Sequence, residues 1–145
     1  LENTKNPKTM EITECKLIDL PKIQDPRGNL SFIEGGKHIP FAVERTYWIY
    51  DVPGGQMRGG HAYTNLHECI IALSGSFDVV INNGKETKTI SLNRSYYGLY
   101  VPPMIWRSLE NFSTNSLCLI LSSAPYSEDL YIRNYDDFLK QATGV

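Results

Sequence analysis

From Lys16 to Ser122 the chain alternates short runs of apolar and polar residues with turn residues, the period-two pattern of half-buried strands. Asn29–Glu34 predicts one strand, entered from the turn Asp25-Pro26-Arg27-Gly28. Arg45–Val52 predicts another, stopped by Pro53-Gly54-Gly55. Glu68–Leu73 and Phe77–Asn82 are joined by Ser74-Gly75-Ser76, and Asn82-Asn83-Gly84 reads as a hairpin turn into Lys85–Leu92. Tyr97–Val101, Ile105–Leu109 and Ser116–Ser122 complete the set. Turn signals roughly every 8–12 residues predict an all-β sandwich or barrel. The period then changes. Tyr131, Ile132, Tyr135, Phe138 and Leu139 recur at helical spacing, which predicts a short amphipathic helix over Asn134–Gln141 lying on the barrel. Asn134 with Asp137 resembles a capping pair.

Composition narrows the function. A chain of 145 residues is one domain with room for a real core. Fourteen Lys and Arg against 16 Asp and Glu give a net charge of -2, so there is no basic surplus to neutralise nucleic-acid phosphates. Hydrophobic residues at 41% exclude a mainly disordered chain. The longest apolar runs, Cys69–Leu73 and Leu117–Leu121, fall far short of the ~20 residues that span a bilayer. Five alanines against nine tyrosines and eight prolines favour strands over a helical bundle. Cys15, Cys69 and Cys118 are odd in number and scattered, a poor disulfide framework and a poor zinc site. They read as free thiols in a reducing, cytoplasmic setting. Residues 1–9 are polar and lack the apolar core of a signal peptide. They read as a disordered or vector-derived leader, with Met10 as the natural start and 10–145 as a single domain.

The chemistry-bearing segment runs from Gly55 to Gly75. Gly55, His61, Glu68 and Gly75 resemble, in identity and spacing, the first motif of the small β-barrels called cupins, with Tyr63 where the second histidine stands. Pro102 and Asn111 fit the second motif, with Met104 in place of its glycine and Arg107 in place of its histidine. The resemblance implies an all-β fold, a small cupin (jelly-roll) barrel, with a short C-terminal helix. A cupin metal is typically held by three histidines and one glutamate. Only His61 and Glu68 survive, and Arg107 brings a permanent cation with no lone pair to offer. The expected metal is therefore none, which disfavours oxygenation and metal-assisted isomerisation.

Five stretches in order look like one cupin family, the nucleotide-sugar 3,4-ketoisomerases (WxcM-like). They are D-x-R-G-x-L at Asp25–Leu30, R-x-Y-x-I at Arg45–Ile49, R-G-x-H-A-x at Arg58–Tyr63, G-L-Y-V-x-P-x-x-W at Gly98–Trp106, and Y-I-R-x-Y-D at Tyr131–Asp136. The resemblance implies conversion of dTDP-4-keto-6-deoxy-D-glucose to a dTDP-3-keto-6-deoxyhexose by C3-to-C4 proton transfer through an enediol(ate), for dTDP-amino-sugar biosynthesis. No cofactor is needed, because the ketone itself acidifies the C3 proton. Family members pair as homodimers, and residues 12–23 suit an arm exchanged between subunits. The runner-up readings are a nucleotide-sugar 3,5-epimerase and a sugar-binding cupin without catalysis.

The resemblance makes His61 the proton carrier and Tyr47 a holder of the sugar. The plain readings are a structural histidine in the barrel wall and ordinary aromatic packing. Alternation puts Tyr47 and Ile49 on one strand face, with Trp48 and Tyr50 on the other. Tyr63 shares the strand face of His61 and can position substrate, but a phenol with a pKa of about 10 is a poor base. Arg27, Arg58 and Arg107 are candidate holders of the diphosphate, against a plain reading of solvated surface, and Arg107 could instead stabilise the enediolate. Trp106 could stack on the base or pack in the wall. Glu68 could orient His61, bind sugar hydroxyls or simply bond inside the barrel. His67 is given no role, His38 is expected in solvent, and Glu128-Asp129 with Asp136-Asp137 read as a solvated acidic face.

Overall fold

The computed structural model describes residues 9–144. Twelve strands and one helix follow in chain order: β1 Lys16–Asp19, β2 Lys22–Ile23, β3 Leu30–Ser31, β4 Arg45–Tyr50, β5 Arg58–Tyr63, β6 Glu68–Ser74, β7 Phe77–Asn82, β8 Thr87–Leu92, β9 Tyr97–Val101, β10 Trp106–Glu110, β11 Leu117–Ser122, β12 Tyr131–Ile132 and α1 Tyr135–Thr143. They form two five-stranded antiparallel sheets, β1-β9-β6-β11-β4 and β12-β5-β10-β7-β8, and a two-stranded ribbon, β2-β3. Period-two alternation turns one face of each large sheet inward. Ile70, Ala72, Cys118 and Ile120 meet Phe77, Val79, Ile81 and Leu109 in one apolar core. The barrel predicted from the turn spacing is present.

The outer faces differ. The ribbon and the loop before β4 cover part of the first sheet, packing Leu20, Ile39 and Phe41 on Cys69, Ile71 and Leu121. Helix α1 lies on the second sheet, where Phe138 and Ala142 bury Ala62 and Ile132. Asn134 caps the helix as predicted, its Oδ1 accepting from the Asp137 N–H at 3.0 Å. The left-handed Gly144 (φ 72°) closes the other end.

Several boundaries move, for physical reasons. The strand expected at residues 29–34 shrinks to Leu30–Ser31, because only Lys22–Ile23 lies beside it. The second strand of the predicted hairpin starts at Thr87 and not at Lys85, since the Asn83 Oδ1 accepts from the N–H groups of both Lys85 and Glu86 and holds them in the turn. Tyr131 and Ile132, grouped by period with the helix, form a strand opposite Tyr63 and Ala62. Arg58–Tyr63 was not among the predicted strands, since Gly59-Gly60 hides its alternation. Within this chain β1 pairs with its own β9. Residues 1–8 of the expected leader lie outside the described residues. Thr9 donates its hydroxyl to the Ala142 carbonyl at 3.0 Å, and Met10 accepts from Asn83. All three cysteines are free and buried, with their thiols pushed up to about 12, chiefly by burial.

Candidate functional site

The inner faces of β4, β5, β6 and β10 carry the polar residues that the sequence singled out. On β10, Arg107 is 1% exposed, a full guanidinium inside the barrel. It is tolerated because it is saturated. Its Nε donates to Glu68 Oε1 at 2.9 Å and its Nη2 to Oε2 at 3.0 Å, a bidentate pair. Nη2 also donates to the Tyr47 Oη at 3.0 Å, and Nη1 to the Gly59 carbonyl at 3.1 Å. Tyr47 in turn donates to Glu68 Oε2 at 2.7 Å. Gly59 is required here. Its φ is +73°, and a Cβ at that position would lie 2.2 Å from Arg107 Nη1. Burial works against the Arg107 charge, but Glu68 outweighs it and holds the guanidinium above its ordinary pKa. Burial and then the Glu68 charge raise Tyr47 well above the usual phenol.

His61 faces the same interior from β5, opposite Arg107 in register and 8% exposed. Its Nε2 shares a 2.9 Å hydrogen bond with the Tyr63 Oη, and the rings meet edge to face. Tyr131, from β12, closes the other side of the imidazole with ring centroids 5.0 Å apart. Burial first, and then the cations Arg107, Arg133 and Arg45, push the His61 pKa down to about 2. The imidazole is therefore neutral, and the same burial and cations weaken it as a base. Burial and Glu68 raise Tyr63, so its phenol stays protonated. The Met104 N–H donates to the Tyr63 carbonyl at 2.8 Å. Met104 itself takes the left-handed conformation (φ 63°) suited to the glycine it replaces.

Other nominated residues lie elsewhere. Trp106 points to the outer face of its sheet, by alternation with Arg107, whereas Arg58 lies beyond a bulge in β5 that sets it opposite the inward-facing Leu109. Trp106 packs edge-on to Tyr135 and beside Phe138 under α1, so it helps to seat the helix. Arg58 is exposed with no polar partner among the described residues. The Arg27 side chain is 90% exposed and clasps Asp25 at the tip of the ribbon. Arg107, expected as a diphosphate holder, has its donors turned to Glu68, Tyr47 and Gly59. His38 is half-buried, not in solvent, because its Nδ1 accepts from the Glu34 N–H and its ring meets Phe32. The acidic stretch is not merely solvated. Glu128 pairs with Arg133 and accepts from the Tyr126 hydroxyl at 2.6 Å, and these contacts hold its carboxyl down at about 2.

The motif reading missed Arg45, Tyr131 and Arg133 as individuals, although all three stand inside quoted motifs. Arg45 is two residues before Tyr47 and so shares its inward face. The Arg45 guanidinium lies 4.8 Å over the Tyr47 ring, and the Arg133 guanidinium 4.1 Å over that of Tyr131. Alternation from Tyr47 could have found Arg45. Nothing in the local pattern announces that Tyr131 is a strand residue. Among the described residues no group of three or more His, Cys, Asp or Glu could hold a metal ion, and no helix is long and apolar enough to cross a membrane.

Comparison with known proteins gives this geometry its context. The chain is 40% identical over 127 residues (88% of it and 91% of the relative) to TDP-4-oxo-6-deoxy-alpha-D-glucose-3,4-oxoisomerase of Aneurinibacillus thermoaerophilus. Its fold superposes with a TM-score of 0.85 on the WlaRB TDP-quinovose 3,4-ketoisomerase of Campylobacter jejuni, at 43% identity, covering 89% of this chain and 99% of that one. It superposes with a TM-score of 0.89 on a His-to-Asn variant of the 3,4-ketoisomerase QdtA of Thermoanaerobacterium thermosaccharolyticum in complex with TDP-4-keto-6-deoxyglucose, at 36% identity, covering 91% and 96%. Residues 13–143 match the family described as FdtA, WxcM-like, C-terminal. With that match across nearly the whole barrel, the chain belongs to the WxcM-like family of sugar 3,4-ketoisomerases.

Proposed function

We infer that this protein is an isomerase of a dTDP-linked 4-keto-6-deoxyhexose, moving the ketone from C4 to C3. The observation that carries the reading is a neutral, nearly buried imidazole at His61, flanked by phenols, in a chain similar to enzymes of that activity. In the productive tautomer His61 Nε2–H donates to Tyr63 Oη, which leaves the Nδ1 lone pair free to take the C3 proton. The C3–H electrons become the C3=C4 double bond of an enediol(ate) as charge moves to O4. The imidazolium then returns the proton to C4, and the proton of the 3-hydroxyl transfers to O4 as O3 becomes the ketone. Arg107, 3.0 Å from the Tyr47 hydroxyl, fixes the position of Tyr47 at this centre. The hydrogen-bond partner of His61 is a phenol and not an aspartate, which disfavours the 3,5-epimerase reading. Incubation with dTDP-4-keto-6-deoxyglucose and NMR of the product tests the assignment. A 3-ketone supports it, an unchanged substrate favours a binding cupin, and a 4-ketone exchanged at C3 and C5 favours the epimerase.

The outer face of the first sheet supports a homodimer. Trp48 (59% exposed), Tyr50 (61%) and Leu73 (43%) line a hollow of about 550 Å³ with Leu117 and Leu119. Such an apolar face fits a second copy of the chain, with residues 12–23 exchanged at the open sheet edge. Light scattering at micromolar concentration should return twice the chain mass. Free buried thiols and a nucleotide-sugar substrate favour a cytoplasmic location.

A further inference from the structure

The segment from Tyr126 to Arg133 lies beside His61 as a strap. Its backbone is fastened to β5 and the turn after it. The Thr64 N–H donates to the Leu130 carbonyl at 2.9 Å, and Tyr131 and Ile132 pair with Tyr63 and Ala62. Its exposed side is fastened by side chains alone. The Arg133 guanidinium donates through Nε and Nη2 to the two oxygens of Glu128, and the Tyr126 hydroxyl donates to Oε2 at 2.6 Å. Both charged side chains are about half exposed. An exposed ion pair adds little to stability, because water competes for its charges and two long side chains must be ordered. This one is nonetheless bidentate, with a phenol as third donor, a geometry that fixes where the guanidinium lies.

That place is over Tyr131, 4.1 Å from the ring centre. Tyr126, the other donor to Glu128, meets the same ring at 5.8 Å between centroids. Tyr131 has little else to orient it. It stands on a two-residue edge strand, and its hydroxyl has one long contact, 3.4 Å from Arg45 Nη2. Its ring plane is therefore set by what packs against it: Arg133 and Tyr126 from the clasp, His61 and Tyr63 from the site. His61 depends on the same packing. Among the described residues its imidazole has one hydrogen bond, to Tyr63. One bond fixes a point on the ring but not its plane, and the Tyr131 ring, 5.0 Å away, supplies a wall.

We propose that Glu128 is a positioning residue for the isomerisation. It holds Arg133 on Tyr131, and Tyr131 holds the plane of the His61 imidazole toward C3 of the hexose. Glu128 itself touches no reacting atom. The charges agree with this reading. Arg133 lowers the proton affinity of His61 and Glu128 raises it, so the clasp presents the imidazole with a pair and not a bare cation. The assignment rests on the isomerase reading above.

Glu128→Gln keeps the shape of the side chain and an acceptor for Tyr126, but removes the charge that seats Arg133. With dTDP-4-keto-6-deoxyglucose it should lower kcat about 10-fold, the scale of a sub-ångström misplacement of the base. KM and the urea midpoint should stay near wild type. At saturating substrate, added salt should slow the wild type and leave the variant unaffected. The double variant Glu128→Arg, Arg133→Glu remakes the ion pair but puts a carboxylate on Tyr131, and it should stay slow. Recovery of kcat there would mean that the pair merely ties the loop, and overturns the proposal. A second readout needs no turnover. The His61 ring-proton shifts, assigned by their absence in His61→Asn, feel the ring current of Tyr131 and should move in Glu128→Gln. Unmoved shifts, or wild-type kcat in Glu128→Gln, overturn the proposal. Moved shifts in a protein that makes no 3-ketone keep the link from Glu128 to His61 and reject the isomerase reading. A 3-ketone made equally fast by wild type and Glu128→Gln does the reverse.

Discussion

Two regions of the barrel interior hold arginine, and they are built on opposite terms. Around Arg107 four nitrogen–oxygen contacts lie between 2.9 and 3.1 Å, and both oxygens of Glu68 are engaged. Around Arg45 there is one long contact and an orphaned Nε. The closed region is structural machinery that holds Tyr47 in place. The open one, beside His61, is left wanting acceptors. Desolvation penalises both cations, so the difference lies in how far the chain completes each: fully in one case, and with two aromatic rings and one long hydrogen bond in the other.

The largest expected effect comes from opening the closed region. Glu68→Ala leaves the Arg107 charge buried and unpaired, and should cost about 3–5 kcal/mol of stability, read from the midpoint of urea unfolding. A loss below about 1 kcal/mol would mean that Arg107 finds water or another partner, and the contrast between the regions would fail. Next comes His61→Asn. It should keep the fold and dTDP affinity while turnover falls by at least ~100-fold, the lower end for losing a general base. Near wild-type turnover in that variant, with loss of activity in Tyr63→Phe, would move the acid–base role to the phenol.

His61 also sets a pH window. Folded, it stays neutral down to about pH 2, while a free imidazole protonates near pH 6.5. Between those values the unfolded chain binds one more proton than the folded one. Stability is therefore fully present above about pH 6.5 and falls as the pH drops, by up to about 1.4 kcal/mol per pH unit from this group. Acid unfolding of His61→Asn should show a slope shallower by one proton. The smallest effect is Arg58→Ala. Its exposed side chain touches nothing polar among the described residues, so the KM for the nucleotide sugar should match wild type. A tenfold rise would place Arg58 in the substrate path.

Most of the barrel was legible because strand alternation and turn chemistry are local signals. Phe77–Asn82 and Tyr97–Val101 match the observed strands residue for residue. Arg58–Tyr63 was not predicted as a strand, since two glycines carry no alternation, yet the spacing from His61 to Tyr63 still put both on one face. The site was legible where a residue's role follows from its own strand. His61, Tyr47 and Tyr63 face inward, as alternation requires. It was not legible where the role depends on a partner far along the chain. Trp106 reads as a ligand platform until α1, nearly thirty positions later, folds onto it. Arg107 reads as a free cation until Glu68, 39 positions earlier, takes both ends of its fork. Arg45 and Ser122 are 77 positions apart, and only the β4–β11 register makes them a pair.

The bare Cα of Gly59 carries a constraint on how this barrel could change. A Cβ there would sit 2.2 Å from Arg107 Nη1, so no other residue fits while the arginine is in place. The dependence has a direction. Replacing Gly59 first expels a buried cation from its seat, whereas shortening Arg107 first removes the clash and leaves a larger residue only the left-handed backbone to accommodate. A lineage drifting from the guanidinium knot toward a metal-binding barrel would therefore have to surrender the arginine before the glycine, and the order of its substitutions would be written in advance by an atom that is not there.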